Sequence, residues 1–586
     1  MRAPSPYNRR VVEGRRVRFW AAVLFLASAG SALVFDHSRL DSPTMDEPFH
    51  ALASAEYAIA GTYYANVEHP PLVKLLSGFA IRAAGGRAPK MDVPFSMASA
   101  EQPRPFSFRS PLRPETLFAV ARAPVTALFF LLVVTTGWAV RSWAGDLAGI
   151  LAAALVAFEP NLLAHAGVVH TDLAAALGFF GTLVLAARAL ERRSLGLWAA
   201  AGAALGASLA AKFSCVLLVP MVALLALTGL FRERRAAARE GRRPDLLEWR
   251  GLLLAGAASL AVLLGSYAIA MRHMSGQEAA RAVRLFLVSR QAPEATIDRI
   301  VALSRLSKEA GHYAAGLAGI AVQNRTGGGV NVLDGKLSVD GFWDYFFVAF
   351  AVKSTLSTLL ALGIACAAGI ARKVRPDLVL LTLVLPPAYL FLTGMATSYN
   401  IGIRHMLPVY PLLLSAAVLV LFRALSARAA AAVLAVLASV QLVETLSVHP
   451  HELSFFNAAA GGPANGAAWL NDSNLDWGQD LERLARYLEA RGEEGRATIA
   501  YFGGGDVSYY APKATVFVPS RTPFNPGLWA VSSFLLCCGP EAMAFHGDPA
   551  AATGFQQLRR EISARGRPAG RVGYSIVLYD LREKGP

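Results

Sequence analysis

Residues 116–140 read Thr-Leu-Phe-Ala-Val-Ala-Arg-Ala-Pro-Val-Thr-Ala-Leu-Phe-Phe-Leu-Leu-Val-Val-Thr-Thr-Gly-Trp-Ala-Val, with Arg122 the one charge in the run. A bilayer span needs about 20 mostly apolar residues, so this run is long enough to cross one. Ten more runs of the same character lie near 18–35, 147–163, 171–190, 195–211, 214–231, 251–271, 344–370, 377–394, 405–423 and 428–446. The runs 147–163 and 195–211 are short, and their ends are soft. Composition agrees with about eleven spans. Of 586 residues, 54% are hydrophobic and only 17% charged, where a soluble domain carries about a quarter charged. That excludes a soluble globular protein, and the high hydrophobicity excludes a disordered one. Four cysteines in this length exclude a disulfide scaffold, and none stands in a CxxC pair or at metal spacing from a histidine. Cys215 and Cys366 read as packing groups within spans, and the adjacent Cys537 and Cys538 carry no assigned role.

The net charge of +15 invites a nucleic-acid reading until the charges are placed. Arg232, Arg234, Arg235, Arg239, Arg242, Arg243 and Arg250 crowd one loop, and Arg188, Arg192, Arg193, Arg372, Lys373 and Arg375 fall on the same side. Lysine and arginine in short loops mark the cytoplasmic face. The basic surplus is therefore an orientation signal and no nucleic acid is called for. Arg9, Arg10, Arg15, Arg16 and Arg18 precede the first run, which puts the N-terminus in the cytoplasm. The small residues from Ala27 to Ala32 also suit a cleaved signal peptide, which would leave the sidedness of the rest unchanged.

Eleven crossings place the C-terminus outside. Three external segments follow: 36–115, a first loop with juxtamembrane helices; 272–343, a loop that could cover a site; and 447–586. The last mixes strand-like runs (Thr498–Phe502, Thr515–Val518, Trp529–Leu535, Tyr574–Leu578) with amphipathic helical ones (Gln479–Arg491, Phe555–Arg565). The expectation is an α-helical polytopic membrane protein over 1–446, in an inner (plasma) membrane, with an extracytoplasmic α/β domain over 447–586.

Candidate chemistry lies on the external side. The first loop opens with Asp46-Glu47-Pro48-Phe49-His50 and continues with Glu68-His69-Pro70-Pro71. Each cluster precedes an amphipathic stretch too short to span, and acidic groups beside membrane-surface helices are costly unless solvated or used. Helix capping is the plain alternative for Asp46. A second acid is Asp172 in His170-Thr171-Asp172, where Thr171 or Asp172 could equally cap the following span. A third group is cationic: Lys212, Lys353, and Arg404 with His405. Single cations near span ends often snorkel to headgroups. Three on the side opposite to the charge bias suggest a bound anion, with phosphate the natural guest.

These motifs resemble the GT-C membrane glycosyltransferases, in particular the protein O-mannosyltransferase and aminoarabinose-transferase branch. The resemblance rests on Asp46-Glu47-Pro-Phe-His and Glu68-His-Pro-Pro-Leu-x-Lys, then Pro160-Asn-Leu-Leu-Ala-His165, Thr171-Asp172-Leu173 and Lys212-Phe-Ser214. Further on come Gly341-Phe-Trp-Asp-Tyr-Phe with Lys353, Ile401-Gly-Ile-Arg-His-Met-Leu-Pro, and the tail from Asn457 to Asp480. It implies a GT-C-like fold, a polyprenyl-phosphate sugar donor, an external active site and inversion at the anomeric carbon. It implies Asp46 as the base, Asp172 as the second acid, and Glu47, His50, Glu68 and His69 as the site's first-loop border. Lys212, Lys353, Arg404 and His405 fall on the donor-phosphate side. The tail departs from that of the protein mannosyltransferases, so the acceptor can be lipid, glycan or protein.

The chemistry makes the same demands. Transfer from a sugar phosphate passes through an oxocarbenium-like state. The acceptor hydroxyl needs a carboxylate base, and the leaving phosphate needs cations. The residues name no certain cofactor; Asp46, His50, Glu68 and His69 offer oxygen and nitrogen donors for a divalent metal, which some members of the resembled family bind and others do not need. The tail motif Asp472 to Asp480, with Trp477, reads either as a sugar contact or as a turn entering a helix. Two other functions fit less of the pattern. A lipid-linked sugar transporter or flippase would carry midplane ionisable groups and repeats. A non-catalytic saccharide-binding envelope protein would not gather acids and cations in one place.

Overall fold

The computed structural model describes residues 6–94, 101–327 and 329–583, and the side chains from residue 14 onward. Arg9 and Arg10, part of the loop 36–115 and Gly328 in the proposed cover lie outside those limits.

Each of the eleven apolar runs falls on helix. Six helices are long and apolar enough to cross a membrane: Gly14–Ser38, Pro114–Ala144, Asp172–Arg192, Phe213–Arg239, Leu247–Ala270 and Ala427–Val448. Two bent pairs, Asp146–Ala157 with Pro160–Ala166 and Tyr345–Lys353 with Leu356–Ala371, raise this to eight if each pair is one span. Leu195–Ala211, Leu378–Gly394 and Val409–Ala424 are shorter apolar helices. The chain is an integral membrane protein. Its helices turn Leu, Phe and Val outward, as at Phe25, Leu253, Leu392 and Val443, which water would not tolerate over so large a surface.

Between such helices lipid offers no hydrophobic gain, so close backbone approach supplies the packing. Gly202 and Gly206 stand on one face of Leu195–Ala211, and a Cβ on either would collide with the backbone of Ala255 or Ser259 on Leu247–Ala270.

The first loop forms two short helices, Glu47–Ala55 and Leu72–Ala83, as its two amphipathic stretches predict. Asp46 sits at the N-cap of the first but makes no side-chain cap hydrogen bond. Thr171, the N-cap of Asp172–Arg192, likewise makes none. Capping therefore explains neither acidic motif. It does explain Glu159, whose carboxylate accepts from the Leu162 amide at 2.9 Å.

Residues 272–343 are largely helical, as Gly276–Ser289, Glu294–Leu306 and Lys308–Thr326, followed by an antiparallel hairpin, Asn331–Leu333 with Lys336–Ser338. After Val448 the chain lies against the helical bundle as short turns. A mixed five-stranded sheet then forms in the order Thr515–Val516, Ala497–Ala500, Gly527–Ser532, Ile576–Leu581, Gly566–Val572. The first three strands are parallel and the last two antiparallel. The run expected as a strand to Leu535 turns helical at Ser533. The strand Gly566–Val572 carried no signal, because Gly566, Pro568 and Gly570 break the alternation of an exposed edge.

Candidate active site

Asp46, His50, Glu68, His69, Lys212, Arg404 and His405 line one cavity of about 780 Å³. They come from four places in the chain: the N-cap and first turn of Glu47–Ala55, the loop before Leu72, the end of Leu195–Ala211, and the turn Ile403–Met406. Apolar walls are supplied by Phe179, Leu217, Phe286 and Leu390.

The Asp46 carboxylate is the partly open acid, at 37% exposure of its side chain. Its Oδ2 lies 3.3 Å from an Arg404 guanidinium nitrogen and 3.7 Å from Nε2 of His170. Behind it stands Asp172, wholly buried and absent from the cavity lining. One Asp172 oxygen accepts from Lys212 and the other lies in ion-pair contact with Nδ1 of His170, with Arg404 at 3.9 Å. Asp172 is thus the hub of an ion cluster with Lys212, His170 and Arg404, set behind the cavity wall. Arg404 also lies over the ring of Trp477, at 4.4 Å. Burial opposes its charge, but Asp172 and Asp46 outweigh burial and hold the guanidinium above its usual range. Burial presses His50, His69 and His405 well below the usual imidazole range, with nearby lysines adding to the effect. Their rings are neutral at pH 7. Burial also pushes the Asp472 carboxyl up to about 6, against the pull of Arg404.

Three expected site residues lie elsewhere or have other partners. Lys353 is buried away from the cavity, its Nζ donating to the carbonyls of Leu453 and Asn474 at 2.8 and 2.6 Å. A lysine in a bundle of spans cannot stay charged without acceptors, and the tail segment provides them. Glu47 is fully buried and pairs with Arg122 through both oxygens, at 2.8 and 2.7 Å. It also accepts from the amides of Thr44 and Val169, both at 2.9 Å, which leaves nothing for a substrate. Glu68 does line the cavity, but it pairs with Arg290 at the rim. Among the candidate metal donors, Glu68 therefore stands apart, and His170 takes its place beside His50 and His69.

The Glu47 pair carries a test. Replacing one partner of a buried ion pair leaves the other charge uncompensated, a loss of about 3–5 kcal/mol. Glu47→Gln should lower the unfolding temperature of the purified protein markedly. An unchanged thermal melt would show that the pair adds no stability.

Arg290, Tyr399 and His170 are cavity residues without a site assignment from sequence. Arg290 follows the helix Gly276–Ser289, and its only signal was a cation at the end of an amphipathic stretch. His170 stood beside the flagged Asp172, and its neighbourhood was the signal. Trp477 is 1% exposed and packs under Arg404, so it offers no open face to a sugar. Asp476 accepts from the Phe534 amide at 2.9 Å, and Asp480 bonds Arg483 and Ser575 at 2.9 and 2.7 Å. The tail motif is thus a structural seam.

No protein-family model matches the chain, and no curated protein matches it in sequence. Solved structures do. They include the S. cerevisiae protein O-mannosyltransferase complex bound to its sugar donor, at 19% identity and TM-score 0.31, over 47% of this chain and 34% of that one. They include the Archaeoglobus fulgidus oligosaccharyltransferase in its apo form, at 12% and 0.44, over 90% of this chain and 72% of that one. A third is ArnT from Cupriavidus metallidurans bound to undecaprenyl phosphate, at 12% and 0.32, over 96% of this chain and 99% of that one.

These neighbours are GT-C glycosyltransferases.

The chain spans about a third of the length of the mannosyltransferase chain it matches. The likeness is distant, and the chemistry is read from the side chains themselves.

Proposed function

We propose that the protein is an inverting glycosyltransferase that moves a sugar from a polyprenyl-phosphate donor to an acceptor hydroxyl. One observation supports this reading above the others: the Asp46 carboxylate shares a single cavity with the cations Lys212, Arg290 and Arg404. In such a site the acceptor oxygen attacks the anomeric carbon, its proton passes to Asp46, and the bond from that carbon to the phosphate oxygen breaks. The phosphate leaves as an anion facing the cations, so no acid is required to protonate it. Attack from the side opposite to the phosphate inverts the centre. The prenyl chain runs over the apolar wall of Phe179, Leu217, Phe286 and Leu390. Asp172 acts through Lys212, His170 and Arg404 as a positioning residue.

The arginine-rich loops set the cytoplasmic side, so the cavity and the segment 447–586 face outward from an inner (plasma) membrane, and the acceptor is an envelope lipid, glycan or protein. Transfer from a polyprenyl-phosphate sugar by the purified protein, with and without Asp46, tests the reading.

A milder change tests the phosphate side. Arg290 is a rim cation that is not part of the buried cluster, and a charged hydrogen bond is worth about 1.5–3 kcal/mol. Arg290→Gln should raise KM for the donor on the order of 10- to 100-fold, with the unfolding temperature unchanged. An unaltered KM would take Arg290 off the donor.

A further inference from the structure

Three histidines from three separate elements meet in the cavity wall. His50 comes from the first turn of Glu47–Ala55, His69 from the loop before Leu72, and His170 from the turn before Asp172–Arg192. The ring centroids of His50 lie 5.1 Å from His69 and 4.7 Å from His170, and those of His69 and His170 are 5.5 Å apart. One ring nitrogen of each falls within 4.8 Å of the other two. His50 is 2% exposed, and among the described residues neither its ring nor that of His69 makes a hydrogen bond. Both rings line the cavity, so their nitrogens are available to a ligand there. Plain ring packing would give the same edge contacts, but it does not call for one nitrogen of each ring to converge on a common point.

His170 is prepared in a more specific way. Asp172 lies against its Nδ1 as an ion-pair partner, which leaves Nε2 as the ring nitrogen that faces the cluster. A carboxylate behind the imidazole is the usual support of a metal-bound histidine. Nε2 meets an Arg404 N–H at 3.0 Å, and Asp46 Oδ2 lies 3.7 Å away. A metal would take the Nε2 lone pair, while Arg404 would keep its two carboxylate partners.

We propose that His50, His69 and His170 form a binding site for one divalent transition-metal ion, with zinc the best match to three imidazole donors. Zinc–nitrogen bonds of about 2.0–2.1 Å put tetrahedral ligands about 3.3 Å apart, within reach of small rotations of the three rings. Three protein ligands leave a fourth position, here on the Asp46 side and open to the cavity. If the transfer reading above holds, that position receives a donor phosphate oxygen; the binding site itself does not depend on that reading.

The test measures metal, independently of transfer. The full chain is purified without a polyhistidine tag, stripped with a chelator, and reloaded with zinc or cobalt. Elemental analysis should find one ion per chain in the wild type and none above buffer in the His50→Ala, His69→Ala double variant. Cobalt should give the strong visible bands of a four-coordinate nitrogen site. Because the double variant can fail to fold, His69→Gln alone, at the half-buried loop position, should weaken binding while keeping the wild-type melting profile. A wild type that retains no metal above buffer, or a folded His69→Gln variant that binds as tightly as wild type, overturns the proposal.

Discussion

Asp46→Asn should cut sugar transfer by about 10²–10⁴-fold, the usual contribution of a positioned general base, and leave donor binding and folding in place. The substitution preserves the shape of the side chain and removes its ability to take a proton. Stability should hold because Asp46 is the exposed member of the cluster, and Arg404 retains Asp172. The measurement is transfer from a polyprenyl-phosphate sugar by purified protein in detergent or vesicles, beside a melting curve. Full activity in the folded variant would remove Asp46 as the base, and with it the main support for glycosyl transfer. A large fall in kcat with a near-constant donor KM is the expected split, since the proton moves only in the transition state.

The second large effect is expected at Asp172. Its carboxylate is wholly buried and is the shared ion-pair partner of Lys212, His170 and Arg404. Asp172→Asn keeps the volume but removes the charge, leaving Lys212 facing an amide in a dry site. Breaking a buried pair costs about 3–5 kcal/mol, and a large share of a membrane protein's folding margin goes with it. Transfer should fall as well, because His170 and Arg404 each lose an ion-pair partner that positions them. The double variant Asp172→Asn, Lys212→Met removes both charges. It should recover most of the stability and none of the transfer, a coupling that a double-mutant cycle reads directly. A single variant as stable and as active as wild type would show that the cluster neither holds the fold nor positions the site.

The helical bundle was legible because lipid enforces long apolar runs, and every run in the chain falls on helix. The lengths of those helices were less legible. The bends at Phe158–Glu159 and Ser354–Thr355 come from local capping by Glu159 and Thr355, which hydropathy does not register. At the site, residue type told more than role. Asp46, Lys212 and Arg404 stood out as charges where charge is expensive, and all three line the cavity. Glu47 and Lys353 stood out for the same reason, yet each answers a buried partner: Arg122 for one, two tail carbonyls for the other. One sequence cannot separate a charge held for a ligand from a charge held for another residue, because both obey the same rule against unpaired burial. Arg290 was hidden for the opposite reason, since a cation at the end of an amphipathic helix is ordinary until the fold brings it beside Glu68.

The seam between the bundle and the tail has a bearing on how such a protein can be rebuilt. Lys353 reaches across to Leu453 and Asn474, Asn474 Oδ1 accepts from the Ile403 amide at 3.0 Å, and Trp477 backs Arg404. The short stretch from Leu453 to Trp477 therefore packs behind the cavity wall, against Lys353, Ile403 and Arg404, although it follows the last long apolar helix in the chain. Chimaeras that exchange the tail should be spliced beyond Asp480. A graft joined at Val448 would put foreign residues behind Arg404 and Lys353, and modular exchange between relatives has its natural breakpoint some thirty residues later than hydropathy would place it.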